Sequence, residues 1–248
     1  MRCRRRVTSS LTAVSIAIVL LAACAPSPPA AAPAPTPAPG ASCALGAPAP
    51  APGAAPYAFF DATGGCPVRW NPCASVPYWV NTTGSPLPLT ALQGDVAVLA
   101  AGTGLTFAYQ GSSTQSVPTW SGPGLLIGFA TAATEPAFSH GAIGVTYTTY
   151  SGHRILTAGV DLKQDWVANT PQWHALLLHE LGHAVGLDHV SDVTQLMNPF
   201  VTSTTTYAAG DSEGLRLVGR TQGCIPVSAS AATVPQRAVR EVRSASSG

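Results

Sequence analysis

The sequence is poor in charged residues, in lysine and in methionine. Only 9% of its 248 residues are charged, Lys163 is the single lysine, and Met197 is the one methionine after the first residue. Because no stripe of basic side chains is present, we exclude nucleic acid as a partner. A long apolar run is missing as well, since the run at 14–23 is too short to span a bilayer as a mature helix.

The first residues have the pattern of a secretion signal. Four arginines precede the apolar run, which predicts a signal peptide at 1–23; its removal changes the net charge from +1 to −3. The run ends in Leu-Ala-Ala-Cys at 21–24, which matches the lipobox of bacterial lipoproteins, so we expect a lipid on Cys24. Ordinary signal cleavage is the alternative. The protein is therefore predicted to be extracytoplasmic, either anchored at the cell surface through this lipid alone or secreted.

Composition divides the rest of the chain into three parts. Residues 24–56 consist mostly of alanine, proline, glycine and serine, which predicts an extended tether with little to bury. Residues 57–225 have the length of one ordinary domain. The small and polar residues at 226–248 predict a disordered tail.

One short segment carries most of the chemical information. Residues 179–189 read H-E-L-G-H-A-V-G-L-D-H. On an α-helix, His179 and His183 lie one turn apart on the same face and can bind one ion. Gly186 tolerates the positive φ that would end the helix and bring His189 to the same ion. Glu180 lies at the edge of this face, where it can accept a proton from water. Three ligands and one open position predict a catalytic Zn²⁺ site.

This motif, H-E-x-x-H-x-x-G-x-x-H, is followed by Met197 in the segment Leu-Met-Asn-Pro at 196–199. The combination resembles the metzincin zinc metallopeptidases, and the seven residues between His189 and Met197 resemble the matrixin-like bacterial branch. Over about 170 residues, the resemblance implies an α+β fold: a twisted, mostly parallel sheet with an antiparallel edge strand, a zinc helix, a Met-turn and a C-terminal helix. It also implies a zinc-dependent endopeptidase in which Met197 packs beneath the histidines.

The resemblance further implies that an extended peptide substrate pairs with an edge strand ahead of the zinc helix. Order along the chain places this strand at 141–145, with Ala142, Ile143 and Gly144 as candidate substrate-binding residues. An ordinary edge strand that contains glycines fits the pattern equally well.

Two features of the matrixins are missing. The latency segment P-R-C-G-x-P-D is absent, so inhibition by a zinc-bound cysteine is not expected. The matrixins bind a second, structural zinc through a His-x-Asp segment, but His140 is followed by Gly141 and Ala142. We therefore assign His140 and His153 to surface loops. His174 lies about 140° from His179 around the helix, which favours a solvent-facing or capping role.

Periodicity predicts the remaining elements. Strands are expected at 76–82, 105–110, 125–130, 142–150 and 155–163, the last two joined by a turn at 151–153. Helical spacing predicts a helix at 89–101. Thr170 as the cap and Pro171 in the first turn predict the start of the zinc helix. A last short helix is expected from Asp211, its cap, to Val218.

The cysteines predict disulfide bonds. Once Cys3 is removed with the signal and Cys24 carries the lipid, an even number remains in an oxidising compartment: Cys43, Cys66, Cys73 and Cys224. Three pairings are possible, including Cys66 with Cys73 in a tight loop. We favour Cys73 with Cys224, which would link the first strand to the last helix, and Cys43 with Cys66. A free thiol that guards the zinc is the alternative.

Two other functions fit the same sequence. One is a zinc-bearing surface lipoprotein that binds a ligand without catalysis, although a pure binder has no need of Glu180. The other is hydrolysis of cell-wall peptides by the same chemistry. We expect a monomer that acts on a peptide or protein substrate.

Overall fold

A computed structural model describes residue 43 and residues 46–62, 65–226 and 234–244. The predicted signal peptide, the lipid-acceptor Cys24 and most of the tether lie outside these described residues. Within the part of the chain that is described, no helix is both long enough and apolar enough to cross a membrane.

The domain is built on a seven-stranded mixed sheet. Its strands are β2 (Val76–Val80), β3 (Phe107–Ser112), β4 (Gly124–Ala130), β5 (Ala142–Ser151), β6 (Arg154–Lys163), β8 (Phe200–Val201) and β9 (Gln236–Ser244), in the spatial order β3-β2-β4-β6-β5-β9-β8. The pairs from β3 to β6 are parallel, β5 is antiparallel to both of its neighbours, and β8 is parallel to β9. The predicted α+β class with a mostly parallel sheet is thereby confirmed.

Besides short 3₁₀ helices at Val117–Thr119, Pro136–His140 and Arg220–Gln222, three α-helices and a small second sheet complete the described part of the fold. The helices are α1 (Leu89–Thr103), α2 (Thr170–Val185) and α3 (Ala209–Val218), and the second sheet pairs β1 (Ala58–Phe59) with β7 (Leu187–Asp188). Helices α1 and α2 pack against each other, and α2 also contacts β5 and β6. Every residue of β4 is buried, as expected for a central strand covered on both faces.

Each helix and strand predicted from periodicity is present, with small shifts at the ends. The cap of the zinc helix α2 is Asn169, one residue earlier than predicted. Its side chain accepts a hydrogen bond from the Gln172 amide, and the Gln172 side chain accepts one from the Asn169 amide, both at 3.0 Å. Thr170 and Pro171 then form the first turn. Asp211 likewise lies within α3 instead of preceding it, because the helix begins at Ala209.

Two sequence predictions need correction at one edge of the sheet. Residues 236–244 lie within the predicted disordered tail but form β9, while 227–233 and 245–248 lie outside the described residues. Because β9 pairs with β5 from Ala142 to Tyr150, β5 is antiparallel as predicted but is not an edge strand. Ala142, Ile143 and Gly144 are therefore covered by the protein's own chain.

The structure forms two disulfides, Cys43–Cys66 and Cys73–Cys224, which is the pairing favoured from the sequence. The second connects the segment before β2 to the segment after α3. Disulfides are typical of proteins in oxidising compartments and thus indicate an extracellular protein.

The two disulfides should differ in their contribution to stability, because they close loops of 23 and 151 residues. Chain entropy alone assigns about 3 kcal/mol to the shorter loop and about 5 kcal/mol to the longer one. We therefore predict that replacing Cys73 and Cys224 by serine lowers the free energy of unfolding more than replacing Cys43 and Cys66. Denaturant unfolding without reductant measures both, and an equal or reversed order contradicts the prediction.

Candidate metal centre and active site

The helix α2 positions the first two histidines of the motif. From Trp173 onward, the described side chains of this helix are almost all buried, and His179 and His183 are only 2% and 0% exposed. They lie one turn apart and therefore point to the same side of the helix. The two imidazoles are thus fixed inside the domain rather than presented on its surface.

Gly186 ends the helix as the sequence predicts. It has a φ of +115°, and a Cβ at this position would collide with the carbonyl oxygen of Val68, so a side chain here is excluded on two grounds. The chain then turns back through β7, which pairs with β1. This turn brings His189 next to the two helical histidines.

The three histidines converge on one point through their Nε2 atoms. The Nε2–Nε2 distances are 3.0 Å between His179 and His183 and 3.1 Å from each of them to His189. Nitrogens at the corners of such a triangle can all reach one ion at the zinc–nitrogen distance of about 2.0–2.1 Å. Among the described residues, this is the one group of three or more His, Cys, Asp or Glu side chains with the spacing of a metal site.

Backbone carbonyls orient two of these rings. The Nδ1 of His179 lies 2.7 Å from the carbonyl oxygen of Leu196, and the Nδ1 of His183 lies 2.8 Å from that of Leu187. A proton on each Nδ1 satisfies these contacts and leaves Nε2 with a free lone pair. The donor set therefore fits zinc.

The electrostatic surroundings keep the histidines neutral. Burial lowers the pKa of His179 to about 3, and the nearby His189 acts in the same direction. Burial also lowers the pKa of His183 and of His189, although Asp188 opposes this effect at His189. Neutral imidazole is the form that binds metal, so the site requires no deprotonation at pH 7.

Glu180 is completely buried beside the histidines and is held by β5. Its Oε2 accepts a hydrogen bond of 2.5 Å from the Thr146 hydroxyl, which also contacts the Glu180 backbone carbonyl at 3.0 Å. Its Oε1 has no hydrogen-bond partner in the described part of the structure. Burial raises the pKa of Glu180 well above its usual value, and the Thr146 hydrogen bond partly opposes this shift. A divalent cation nearby would favour the carboxylate form.

Gly144 of β5 allows this approach of Glu180. A Cβ at position 144 would collide with Oε1 of Glu180 and would lie 2.9 Å from Cδ1 of Leu176. The glycine is therefore required for the close packing of the strand on the zinc helix. Gly144 was predicted from its place in the strand, but its contact with Glu180 could not be predicted from the sequence alone.

Met197 is buried beneath the zinc helix, at 2% exposure. A Cβ at Gly182 would lie 2.5 Å from its sulfur, so the methionine packs directly on the backbone between His179 and His183. Asp211 holds the turn by accepting hydrogen bonds from the amides of Leu196 and Met197, at 2.7 and 3.2 Å. The Met-turn therefore supports the site by packing and by placing the Leu196 carbonyl.

Two residues near the site were not found from the sequence. Thr146 is one of three threonines in β5, and nothing in the sequence marks it as the one that binds Glu180. Arg240 of β9 makes a two-pronged contact with Asp188, at 2.8 and 2.9 Å, next to His189. Burial tends to raise the pKa of Asp188, but hydrogen bonds from Arg240 and the His189 amide keep it below its usual value.

The other histidines lie outside the site. His140 is exposed and contacts the Pro136 carbonyl at 3.1 Å, but it ends a short 3₁₀ helix (Pro136–His140) instead of lying in a loop. His153 lies in the turn between β5 and β6 as predicted, although it is half-buried there. His174 is half-buried, whereas a solvent-facing or capping role was predicted. Its Nδ1 lies 2.8 Å from Asp95, so it connects α2 to α1.

A small cavity adjoins His179. It is lined by Ala175, Leu196 and residues 201, 202 and 204, which belong to the segment after the Met-turn.

Three converging histidines, an adjacent buried glutamate, a glycine turn and a methionine beneath the ligands define a metzincin-like zinc site. The family model described as matrixin matches residues 130–216, which include β5, β6, α2, the Met-turn and most of α3. The predicted resemblance is confirmed: this part of the chain is matrixin-like, which indicates a zinc metallopeptidase. Comparison with curated proteins gave no match.

We predict that the purified protein binds one zinc ion per chain and that His183→Ala abolishes this binding, because two ligands cannot hold the ion against competition from the buffer. His140→Ala is the matched control, since His140 is exposed and lies outside the triad. Elemental analysis after dialysis measures the metal content. Full zinc content in a chain that lacks two of His179, His183 and His189 would show that other ligands bind it.

Proposed function

We propose that the protein is a zinc-dependent endopeptidase. The observation that supports this most directly is the convergence of three neutral Nε2 atoms next to a buried carboxylate on the same helix. The histidines supply three ligands for the ion, and no fourth protein ligand is found with them among the described residues. A position is therefore left for water or substrate, as in catalytic zinc sites.

When bound there, zinc supplies a Lewis acid that polarises a peptide carbonyl and lowers the pKa of water. Glu180 takes a proton from the attacking water through Oε1 and then carries this proton to the leaving amine. Thr146 holds Oε2, so the carboxylate is oriented before the substrate arrives. The carbonyls of Leu196 and Leu187 keep His179 and His183 in the tautomer that binds metal.

Glu180 also favours an enzyme over a zinc-bearing binding protein. Glu180 is 0% exposed and its Oε1 has no hydrogen-bond partner among the described residues, which destabilises the folded state. The presence of this carboxylate therefore calls for a functional explanation. Service as a general base is such a reason. Two substrate classes, proteins and cell-wall peptides, fit this chemistry. The range of peptides that the protein cleaves distinguishes them.

We predict that Glu180→Gln retains the fold and the zinc but lowers peptide hydrolysis by about 10² to 10⁴, which is the usual contribution of general-base assistance. The amide has nearly the same shape as the carboxylate but cannot accept the proton. Cleavage of a mixed library of protein-derived and cell-wall-type peptides, followed by mass spectrometry, measures the loss and the substrate class.

Glu213→Gln is the control for this experiment, because Glu213 lies on the surface of α3 and contacts only Arg216 among the described hydrogen bonds. All variants must be compared at equal zinc content, since an empty site would imitate a lost base. Equal rates for Glu180→Gln and wild type would contradict the proposed mechanism. Peptide binding without cleavage would favour the binding protein.

For the location of the enzyme, we propose that Cys24 carries a lipid at the start of the tether and anchors the domain outside the cytoplasm. The lipobox at 21–24 and the low charge of the chain support this proposal. The two disulfides are compatible with it, because they form in oxidising compartments.

If this is correct, the protein will sediment with membranes, and Cys24→Ala will release it or leave its signal peptide uncleaved. Fractionation of cells followed by mass measurement of the mature N-terminus distinguishes these outcomes. Cys3→Ala serves as the control, because Cys3 is removed with the signal. A mature protein found wholly in the soluble fraction with Cys24 intact would contradict lipid anchoring but not peptidase activity.

A further inference from the structure

The strand β9 covers the side of β5 that was predicted to receive the substrate. The two strands are antiparallel, with Glu241 opposite Val145, Val242 opposite Gly144 and Arg243 opposite Ala142. Main-chain pairing of this kind is how an extended peptide adds to a sheet. The backbone groups of 142–144 are thus engaged by residues 242 and 243 of the same chain.

On its other side, β9 pairs with the segment that follows the Met-turn. It is parallel to β8, with Arg243 opposite Phe200 and Ser244 opposite Val201, and the Arg243 amide donates to the Pro199 carbonyl at 3.1 Å. The groove that β9 fills therefore has two walls, one formed by β5 and one by residues 199–201. Both walls adjoin the metal centre, because β5 carries Thr146 and residue 199 lies two positions after Met197.

The central residues of β9 reach the site itself. Val242 lies opposite Gly144, the residue that packs on Oε1 of Glu180. Arg240, two residues earlier, binds Asp188 beside the ligand His189. An extended segment Arg-Glu-Val at 240–242 therefore passes next to both the general base and a metal ligand.

The attachment of β9 to β5 is long, but it consists mainly of main-chain pairing and buries few side chains of β9. Val242 is its one fully buried side chain, at 0% exposure, whereas most of its other side chains are exposed or half-buried. The strand also follows Cys224 along the chain, so the Cys73–Cys224 disulfide and the order of strands from β3 to β5 do not depend on it. The pairing from β3 to β5 can therefore persist when β9 leaves, whereas β8, which is joined to the sheet through β9, would be released with it.

We propose that β9 is an internal, substrate-like inhibitor: it occupies the peptide groove of the metal centre and must be displaced before another extended peptide can bind. This inference rests on the proposed peptidase function. The side chains of β9 indicate which peptide the groove accepts. They are a basic side chain that pairs with Asp188 and, two residues further along, a small aliphatic side chain opposite Gly144. A strand with a purely structural role would instead be needed for the stability of the site.

Two matched substitutions test this on the full chain. Val242→Asp places a charge at the fully buried position of β9 and should release the strand, because an unpaired carboxylate cannot remain there. Val239→Asp makes the same change on the same strand at a position that is 42% exposed, and it should leave the strand in place. Thermal unfolding and zinc content confirm that each variant is folded and loaded.

The first measurement does not depend on catalysis. A fluorescent peptide with the sequence of residues 234–244 is titrated against each protein, and its anisotropy is recorded. The Val242→Asp variant should bind this peptide at least tenfold more tightly than wild type or Val239→Asp, whose grooves are occupied. The same peptide with R240A should bind the opened variant less tightly, because it lacks the contact with Asp188.

The second measurement is activity. Val242→Asp should cleave library peptides with a kcat/KM at least tenfold above that of wild type, and the unlabelled 234–244 peptide should inhibit it competitively. Peptide binding in the opened variant without any cleavage would support the occupied groove and contradict the proposed peptidase function. A folded, zinc-loaded Val242→Asp chain that neither binds the peptide nor gains activity would overturn the inference.

A second variant covers the case in which Val242→Asp does not fold. In it, residues 227–233 are replaced by the recognition sequence of an unrelated serine protease, so that the strand is intact until it is cut from the domain. Cutting and dilution should release the strand, open the groove to the labelled peptide and raise activity. No change in either readout after complete cutting and removal of the strand would also overturn the inference.

Discussion

The hydrogen bonds that the Nδ1–H groups of His179 and His183 donate to the carbonyls of Leu196 and Leu187 are the interactions on which the rest of the site depends. They fix the direction of each ring and leave both Nε2 atoms free to bind metal. The two carbonyls are placed by different parts of the fold: Asp211 of α3 holds the turn around Leu196, and the pairing of β1 with β7 holds Leu187. Residues that are distant in sequence from the histidines therefore fix the orientation of two of the metal ligands.

Much of this arrangement could be predicted because its causes are local. The spacing of His179 and His183 follows from the period of one helix, and the turn at Gly186 follows from the conformations that glycine alone tolerates. The order of strands and helices could likewise be predicted from alternation and helical spacing. The cap of α2 was misplaced by one residue because Asn169 and Thr170 are both good capping residues, and the reciprocal bond with Gln172 decides between them.

The strand β9 could not be predicted because its cause is not local. Residues 226–248 have the composition of a tail, and of the strand that forms within them only Val242 is fully buried. The strand exists because β5 offers unpaired backbone groups, and these belong to a segment about 90 residues earlier in the chain. Thr146 was missed for the same reason, since its role comes from Glu180 on another element. Sequence patterns predict the structure that a segment forms by itself more reliably than the structure that it adopts by pairing with a distant segment.

The covalent link between β9 and the domain has a quantitative consequence. A segment joined by a short connection is present near its own binding site at an effective concentration on the order of millimolar, whatever the concentration of the protein. A free peptide of equal intrinsic affinity would have to approach that concentration to occupy the groove half of the time. Substrates at low concentration would therefore be cleaved slowly and substrates at high concentration readily. A single cut in the connection would remove the competition from β9 permanently.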